Sequence, residues 1–240
     1  NQNTVETHNP KLMTDTFSIQ KIINDKLAND NENREHKDIV SWHCSKIGTC
    51  RTGIYLERLG LPPDEPFDAR TLRLFSAGSM FENWIVDVVK AEGITLETQV
   101  RVEDRKLGFS GYADAVVSHE GQKILYEVKS KHSKSFWYME KQGQGASEHH
   151  KMQTWLYLYN LNLPEGRILY ISRDDLAVLE YPVYLDDIGL KMKVMKELEI
   201  LNLAWEKQLP PPVPSWDKAE QWKSKYCNYH KQCTSQPTYL

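Results

Sequence analysis

The chain has 240 residues, 40% hydrophobic and 26% charged, with 30 Lys and Arg against 33 Asp and Glu for a net charge of −3. Such a balance suits one large globular domain with a core of useful size. It excludes nucleic-acid binding through overall positive charge, so contact with DNA or RNA would need a local basic surface and metal ions. The apolar runs are too short to span a bilayer and the opening NQNTVETHNPK lacks a signal-peptide core, so the expectation is a soluble, intracellular (cytoplasmic) protein without membrane contact.

Residues 1–40 are polar and read as an extension, with one short amphipathic helix in FSIQKIINDKLA (17–28). Helical spacing resumes from Thr52 to Leu59 and stops at Gly60. LPPDEPFD (61–68) is a proline-marked loop. A long helix is expected from about Ala69 to Ala91, with Phe81, Trp84, Ile85, Val88 and Val89 as its buried face and Gly78 as a candidate break into two helices. ITLETQVRV (94–102) alternates as a strand. HSKSFWYMEKQGQGASE (132–148) reads as a polar loop with aromatic residues in it. A helix follows over 149–163, in which Gln153 and Tyr157 stack at i and i+4. Two strands are expected at 166–172 and 176–184. Then comes a helix over 186–208, with Leu190, Val194, Leu198, Leu201 and Trp205 on one side, and the extended linker LPPPVPSW (209–216). This order of elements is an α/β arrangement, a mixed sheet with helices on its faces.

Between the first strand and the loop lies GFSGYADAVVSHEGQKILYEVKS (108–130), a β-hairpin turning at Glu120-Gly121. That register pairs His119 with Gln122 and sets Asp114 opposite Glu127. Strand alternation sends Glu127 and Lys129 the same way, while Ile124, Tyr126 and Val128 form an apolar face that belongs in a core. Two carboxylates side by side repel unless compensated. A divalent cation would compensate them and leave Lys129 available for chemistry. Acids on a strand are more often a solvated face; the combination with Lys129 and with the later polar pair on a helix is what argues for a site. The run KSKHSKS (129–135) supplies Lys131 and Lys134 as a local basic surface, although a solvated loop has the same composition.

Four cysteines occur in two equally spaced pairs, Cys44 with Cys50 and Cys227 with Cys233. A reducing compartment disfavours disulfides and favours a metal or cluster site.

The ordered set G-Y-A-D (111–114), E-V-K (127–129) and Q-x-x-x-Y (153–157) resembles the PD-(D/E)XK nucleases, RecB-type branch. The branch has an upstream Gly-x-x-x-His motif whose His binds metal; Gly78 to Glu82 has that spacing, with Glu82 at the His position. The resemblance implies a restriction-endonuclease-like mixed sheet over 41–208. It implies Mg2+ or Mn2+ held by Glu82, Asp114, Glu127 and the Val128 carbonyl, with Lys129, Gln153 and Tyr157 completing the catalytic set. The implied activity is hydrolysis of DNA phosphodiester bonds, with single strands or ends as substrate and Lys131, Lys134, Trp137, Gln153 and Tyr157 contacting the strand. Phe136, Trp137 and Tyr138 could stack on bases.

The cysteine pattern is similar to that of the iron–sulfur exonucleases of the CRISPR-associated and AddB kinds, which use one ligand before the core and three after it as C-x2-C-x5-C. Here Cys227 and Cys233 match the last two, Ser224 stands where the preceding Cys would be, and Cys50 matches the first. Cys44 would supply the fourth thiolate of a [4Fe–4S] cluster. Zn2+ is the alternative, with His43 and His230 as substitute ligands. The tail, 209–240, would then pack against 41–60. A non-catalytic DNA-end-binding or assembly subunit on the same fold is the rival function, and a homo-oligomer or a larger DNA-processing complex is compatible with either.

Overall fold

A computed structural model describes residues 17–33, 40–212 and 227–235. Its elements are α1 (Ile19–Glu32), β1 (Trp42–His43), α2 (Arg51–Arg58), α3 (Ala69–Ala91), β2 (Thr95–Asp104), β3 (Phe109–His119), β4 (Gln122–Lys131), α4 (Ser133–Lys141), α5 (Glu148–Leu161), β5 (Glu165–Ser172), β6 (Val178–Tyr184), α6 (Ile188–Glu206) and α7 (His230–Ser235). Among the described residues, no helix is long and apolar enough to cross a membrane. Ser224 and residues 213–216 of the proline linker lie outside the described residues.

Six strands make one mixed sheet. β2 runs antiparallel along one edge of β3 from Phe109 to Ser118. The other edge of β3 is shared: β1 pairs with it in parallel at Phe109 and Ser110, and β4 pairs antiparallel from Ala115 to His119. β5 lies parallel to β4, and β6 closes the sheet antiparallel to β5. The hairpin register is the one expected, with His119 opposite Gln122. Both loop residues have positive φ, 49° at Glu120 and 79° at Gly121, as a two-residue turn matched to strand twist requires.

α5 is the centre of the packing. It is buried from Met152 to Leu158, because the sheet lies on one side and α6 and the turn at Cys44–Lys46 lie on another. Gly166 of β5 lets it approach: a Cβ there would come within 3.1 Å of Leu158 and Thr154. The expected stripe of α6 is buried at Leu190, Val194, Leu198 and Leu201. Arg51 ties α2 to α6 through a two-pronged bond to Glu197 at 2.8 and 2.5 Å. Arg58 lies between the rings of Trp42 and Trp205, 4.1 and 4.2 Å from their centroids.

Three sequence expectations are corrected. α3 runs unbroken through Gly78, since the helix carries its own hydrogen bonds there and nothing packs near enough to bend it. Its apolar stripe is only partly covered: Trp84 and Val88 remain 49% and 48% exposed, because α1, β2 and β4 together do not reach across it. The polar loop after β4 contains a helix, α4, which the His132 ring starts by accepting the Lys134 amide and which buries Phe136 and Met139.

Candidate active site and thiolate centre

The sheet opens where the candidate site begins. Between β1 and β4, residues 111–114 of β3 have no strand on that edge. The ladder to β4 stops at Ala115 and Tyr126, one pair short of Asp114 and Glu127. The Asp114 carboxylate takes over from the missing ladder bond, accepting the Val128 amide at 2.8 Å. It therefore stands beside the Glu127–Lys129 segment, as the turn register requires.

Burial reverses one expectation. The Glu127 side of β4 is the covered side: Leu125 is fully buried and Glu127 is 1% exposed, while Ile124, Tyr126 and Val128 are only half-buried. The reason is α5, which lies over Glu127. Oε1 of Glu127 accepts from the Lys129 ammonium and from Gln153 Nε2, the latter at 2.6 Å. Gln153 Nε2 also donates to the Tyr157 hydroxyl at 3.0 Å. Glu127 Oε2 and Gln153 Oε1 are buried with no hydrogen-bond partner. Gly111 belongs to this arrangement, because a Cβ there would lie 3.1 Å from the Tyr157 ring and hydroxyl and 3.2 Å from Cys44 Cβ.

Glu82 of α3 completes the group. Its carboxylate accepts from Gln99, and it shares a field with Asp114 and Lys129. Gln99 has φ of 50° and makes no ladder pair, although the register is the same on either side of it, Thr98 opposite Ala115 and Val100 opposite Ala113; its side chain reaches Glu82. Gln99 was not singled out from sequence; a strand that otherwise alternates cleanly hides it.

Electrostatics match the geometry. Burial, and then the neighbouring Asp114 and Glu82 charges working against the relief from Lys129, push the Glu127 carboxyl up to about 8. Burial also raises Asp114, and burial followed by the Asp114 charge raises Glu82. Lys129 is pulled down by burial, but the Glu127 and Asp114 carboxylates outweigh that and hold it above its ordinary value. Three carboxyls thus face one ammonium, and two buried oxygens still lack a partner.

The strand-contacting residues inferred from sequence divide into two groups. Lys134 and Trp137 are exposed on α4, and Lys131 is half-buried with its ammonium 5.5 Å from the Tyr170 ring. Gln153 and Tyr157 are 3% and 1% exposed. They sit behind Glu127 and do not reach a strand, because α5 is in the core. Phe136 is buried as well, which removes it from any stacking surface, while Trp137 and Tyr138 stay open.

The cysteines also divide. The sulfurs of Cys50, Cys227 and Cys233 lie within 4.8 Å of one another. Cys44 is not with them: it is fully buried in the turn after β1, packed against Gly111 on the flank of the carboxylate site. The two-plus-two pairing fails although only five residues lie between Cys44 and Cys50, because the turn after β1 holds the first in the core while the second caps α2 at its edge. The Gly53 amide donates to Cys50 Sγ at 3.5 Å, and Leu56 and Tyr229 pack around the group. His43 and His230 do not join the three sulfurs. The chemistry of three converging thiols in an apolar shell fits a thiophilic metal. Around a single tetrahedral ion, thiolate sulfurs about 2.3 Å from the metal lie roughly 3.8 Å apart, within the observed spacing.

No family model matches the chain. It is 26% identical over 142 residues to a CRISPR-associated exonuclease Cas4 from Saccharolobus solfataricus, a match covering 58% of this chain and 59% of that relative's length. Its fold superposes on the crystal structure of SSO0001 with a TM-score of 0.59 at 19% identity, covering 93% of this chain and 98% of that one. A fainter likeness, TM-score 0.48 at 12% identity over 77% of this chain and 95% of that one, is to an alkaline exonuclease, LHK-Exo, from Laribacter hongkongensis. The arrangement, a mixed sheet whose central strands bring Asp, Glu-x-Lys and a helical Gln-x-x-x-Tyr together, is similar to that of the PD-(D/E)XK nucleases that the sequence motifs resemble. In sequence, the likeness is to the Cas4 exonuclease, of which the chain spans about 59% of the length.

Proposed function

We propose that this chain is a metal-dependent deoxyribonuclease that hydrolyses phosphodiester bonds in single-stranded DNA or at DNA ends. The observation that carries the reading is the buried, unpartnered Glu127 Oε2 beside the Asp114 carboxylate. Ionising a buried carboxyl whose oxygen has no partner is costly, which is why burial holds Glu127 near 8; a cation beside Oε2 would supply the missing partner and favour the ionised form.

Asp114, Glu127, Glu82 and the Val128 carbonyl would hold Mg2+ or Mn2+, hard cations that take oxygen ligands. Such an ion, when bound, polarises the scissile phosphate and lowers the pKa of a coordinated water. Lys129 is held in its charged form by the two carboxylates, so it acts as a donor that orients the attacking water and offsets charge on the phosphate, rather than as the base. Gln153, through its bond to Oε1, fixes which oxygen of Glu127 faces the cation, and Tyr157 fixes Gln153. Lys131, on β4 two residues past Lys129, and Lys134 and Trp137, exposed on α4, would contact the strand by charge and by stacking. Cys50, Cys227 and Cys233 would hold a separate structural metal, a [4Fe–4S] cluster or Zn2+.

The test is an incubation of end-labelled single-stranded DNA with Mn2+ beside a chelated control, for the wild type and for Asp114→Ala, Glu127→Ala and Lys129→Ala. Metal-dependent shortening in the wild type and none in the variants is expected. Cleavage by Lys129→Ala at the wild-type rate would sink the mechanism. A wild type that binds the DNA without cutting it would make the protein an end-binding subunit instead.

A further inference from the structure

The thiolate centre has three sulfurs, and the chain has no fourth to offer. It contains four cysteines in all, so the residues outside the described segments cannot contribute another thiolate. Three are accounted for by Cys50, Cys227 and Cys233. The fourth, Cys44, is fully buried among core residues that include Trp42, Ile47 and Tyr157. Bringing it to the others would pull the turn at Cys44–Lys46 off α5 and leave a cavity beside Tyr157, the residue that fixes Gln153. No described His, Asp or Glu joins the three sulfurs either.

We infer that the centre is a three-thiolate site, in which Cys50, Cys227 and Cys233 hold a thiophilic metal whose remaining coordination position is taken by an exchangeable non-thiolate ligand from solvent. Cys44 takes no part in it. This deepens the reading of the thiolate metal given above and is independent of the reading of the carboxylates. Three protein ligands with an open position set the centre apart from closed structural sites, in which four side chains exclude exchange. The same holds for a single zinc ion and for one iron of a cluster. Gly53 lies against the centre: a Cβ there would be in ordinary contact with Cys227 Sγ at 3.6 Å and with Cys50 Cβ and the Tyr229 ring at 3.7 Å.

The experiment uses the full chain, prepared without added thiols in two arms, one purified anaerobically with iron and sulfide and one loaded with Zn2+. Metal content and X-ray absorption at the metal edge are read in each; a cluster in the iron arm is further examined by Mössbauer spectroscopy. Cys44→Ala is expected to keep the wild-type metal content, while Cys50→Ser, Cys227→Ser and Cys233→Ser each lose it by about tenfold or more. Zinc should show three sulfur neighbours and one lighter atom, and a cluster should show one iron distinct from the rest. Added ethanethiol should raise the sulfur count of the zinc form to four. Four sulfurs around zinc in the thiol-free wild type would overturn the inference. So would metal loss in Cys44→Ala with unchanged near-ultraviolet circular dichroism, or failure of both arms to retain metal. If Cys44→Ala does not fold, the sulfur count of the wild type decides. Cleavage is read in no arm, so the nuclease reading can fail without touching this one.

Discussion

Glu127 joins opposing demands in one side chain. Its position beneath α5 removes it from water, Lys129 and Gln153 both bind Oε1, and Oε2 is left bare. A carboxyl held near 8 in the fold and near 4.5 in the unfolded chain contributes stability that is fully present below about pH 4.5 and is lost as pH rises toward 8. The metal-free protein should therefore lose thermal stability between about pH 5 and pH 8, read as a falling melting temperature. Glu127→Gln should flatten that slope while abolishing cleavage. With Mn2+ present, the wild-type decline should shrink, because metal binding favours the ionised form. A pH slope unchanged in Glu127→Gln would remove the buried carboxyl as its source. Glu82 stands where the Gly-x-x-x-His motif that the sequence resembles would have its His. Glu82→His should retain cleavage, and Glu82→Ala should raise the Mn2+ concentration needed for half-maximal rate by about tenfold, by analogy with loss of a supporting ligand group. Equal metal dependence in Glu82→Ala and wild type would take Glu82 out of the site.

At the scale of elements, the β3–β4 hairpin sets the register on which the site depends. Its two-residue turn asks both residues for positive φ, which Gly121 supplies freely and Glu120 does not. Asn tolerates that region better than Glu. Glu120→Asn should therefore stabilise the protein by about 0.5–1 kcal/mol, seen as a higher urea midpoint with unchanged slope and unchanged cleavage. A lower midpoint would mean that the turn is not what limits the hairpin. The register was legible in the sequence because strand alternation and turn chemistry are local. α4 was not, since its helical stretch is flanked by His132 and a Gly- and Gln-rich run that both read as loop. What makes it a helix is the burial of Phe136 and Met139 against the core.

Across the whole molecule, the C-terminal segment is held to the loop after α2. Asp64 accepts the Lys231 amide at 2.6 Å and the Gln232 amide at 3.3 Å, its own amide donates to the Asn228 carbonyl, and Tyr229 donates to the Leu61 carbonyl. These bonds place Cys227 and Cys233 against Cys50. Asp64→Ala removes the acceptor for two helix amides and should weaken this docking by about 1–2 kcal/mol. Limited proteolysis should then cut the C-terminal segment first, at lower protease than in the wild type, and metal at the thiolate centre should fall with it. An unchanged proteolytic pattern would show that the Asp64 carboxylate is not needed to hold the segment, which keeps its bonds from Tyr229 to Leu61, Lys231 to Glu65 and Gln232 to Pro62.

The sequence by itself determined the order of the motifs, the hairpin register and the buried stripe of α6, because each follows from a period of 2 or 3.6 residues and from turn chemistry between neighbours in the chain. Tertiary structure alone decided which side of β4 is covered, how much of the α3 stripe is left open, and which three of four cysteines converge. Those outcomes depend on what packs against a face, and the partners are far off in sequence: Gln153 comes to Glu127 from α5, and Tyr229 comes to Leu56 from the far end of the chain. Periodicity says that a face is apolar or charged. Only the approach of another element fixes whether that face meets protein or water, and so whether Glu127 is a solvated acid or a buried one with an oxygen left to bind.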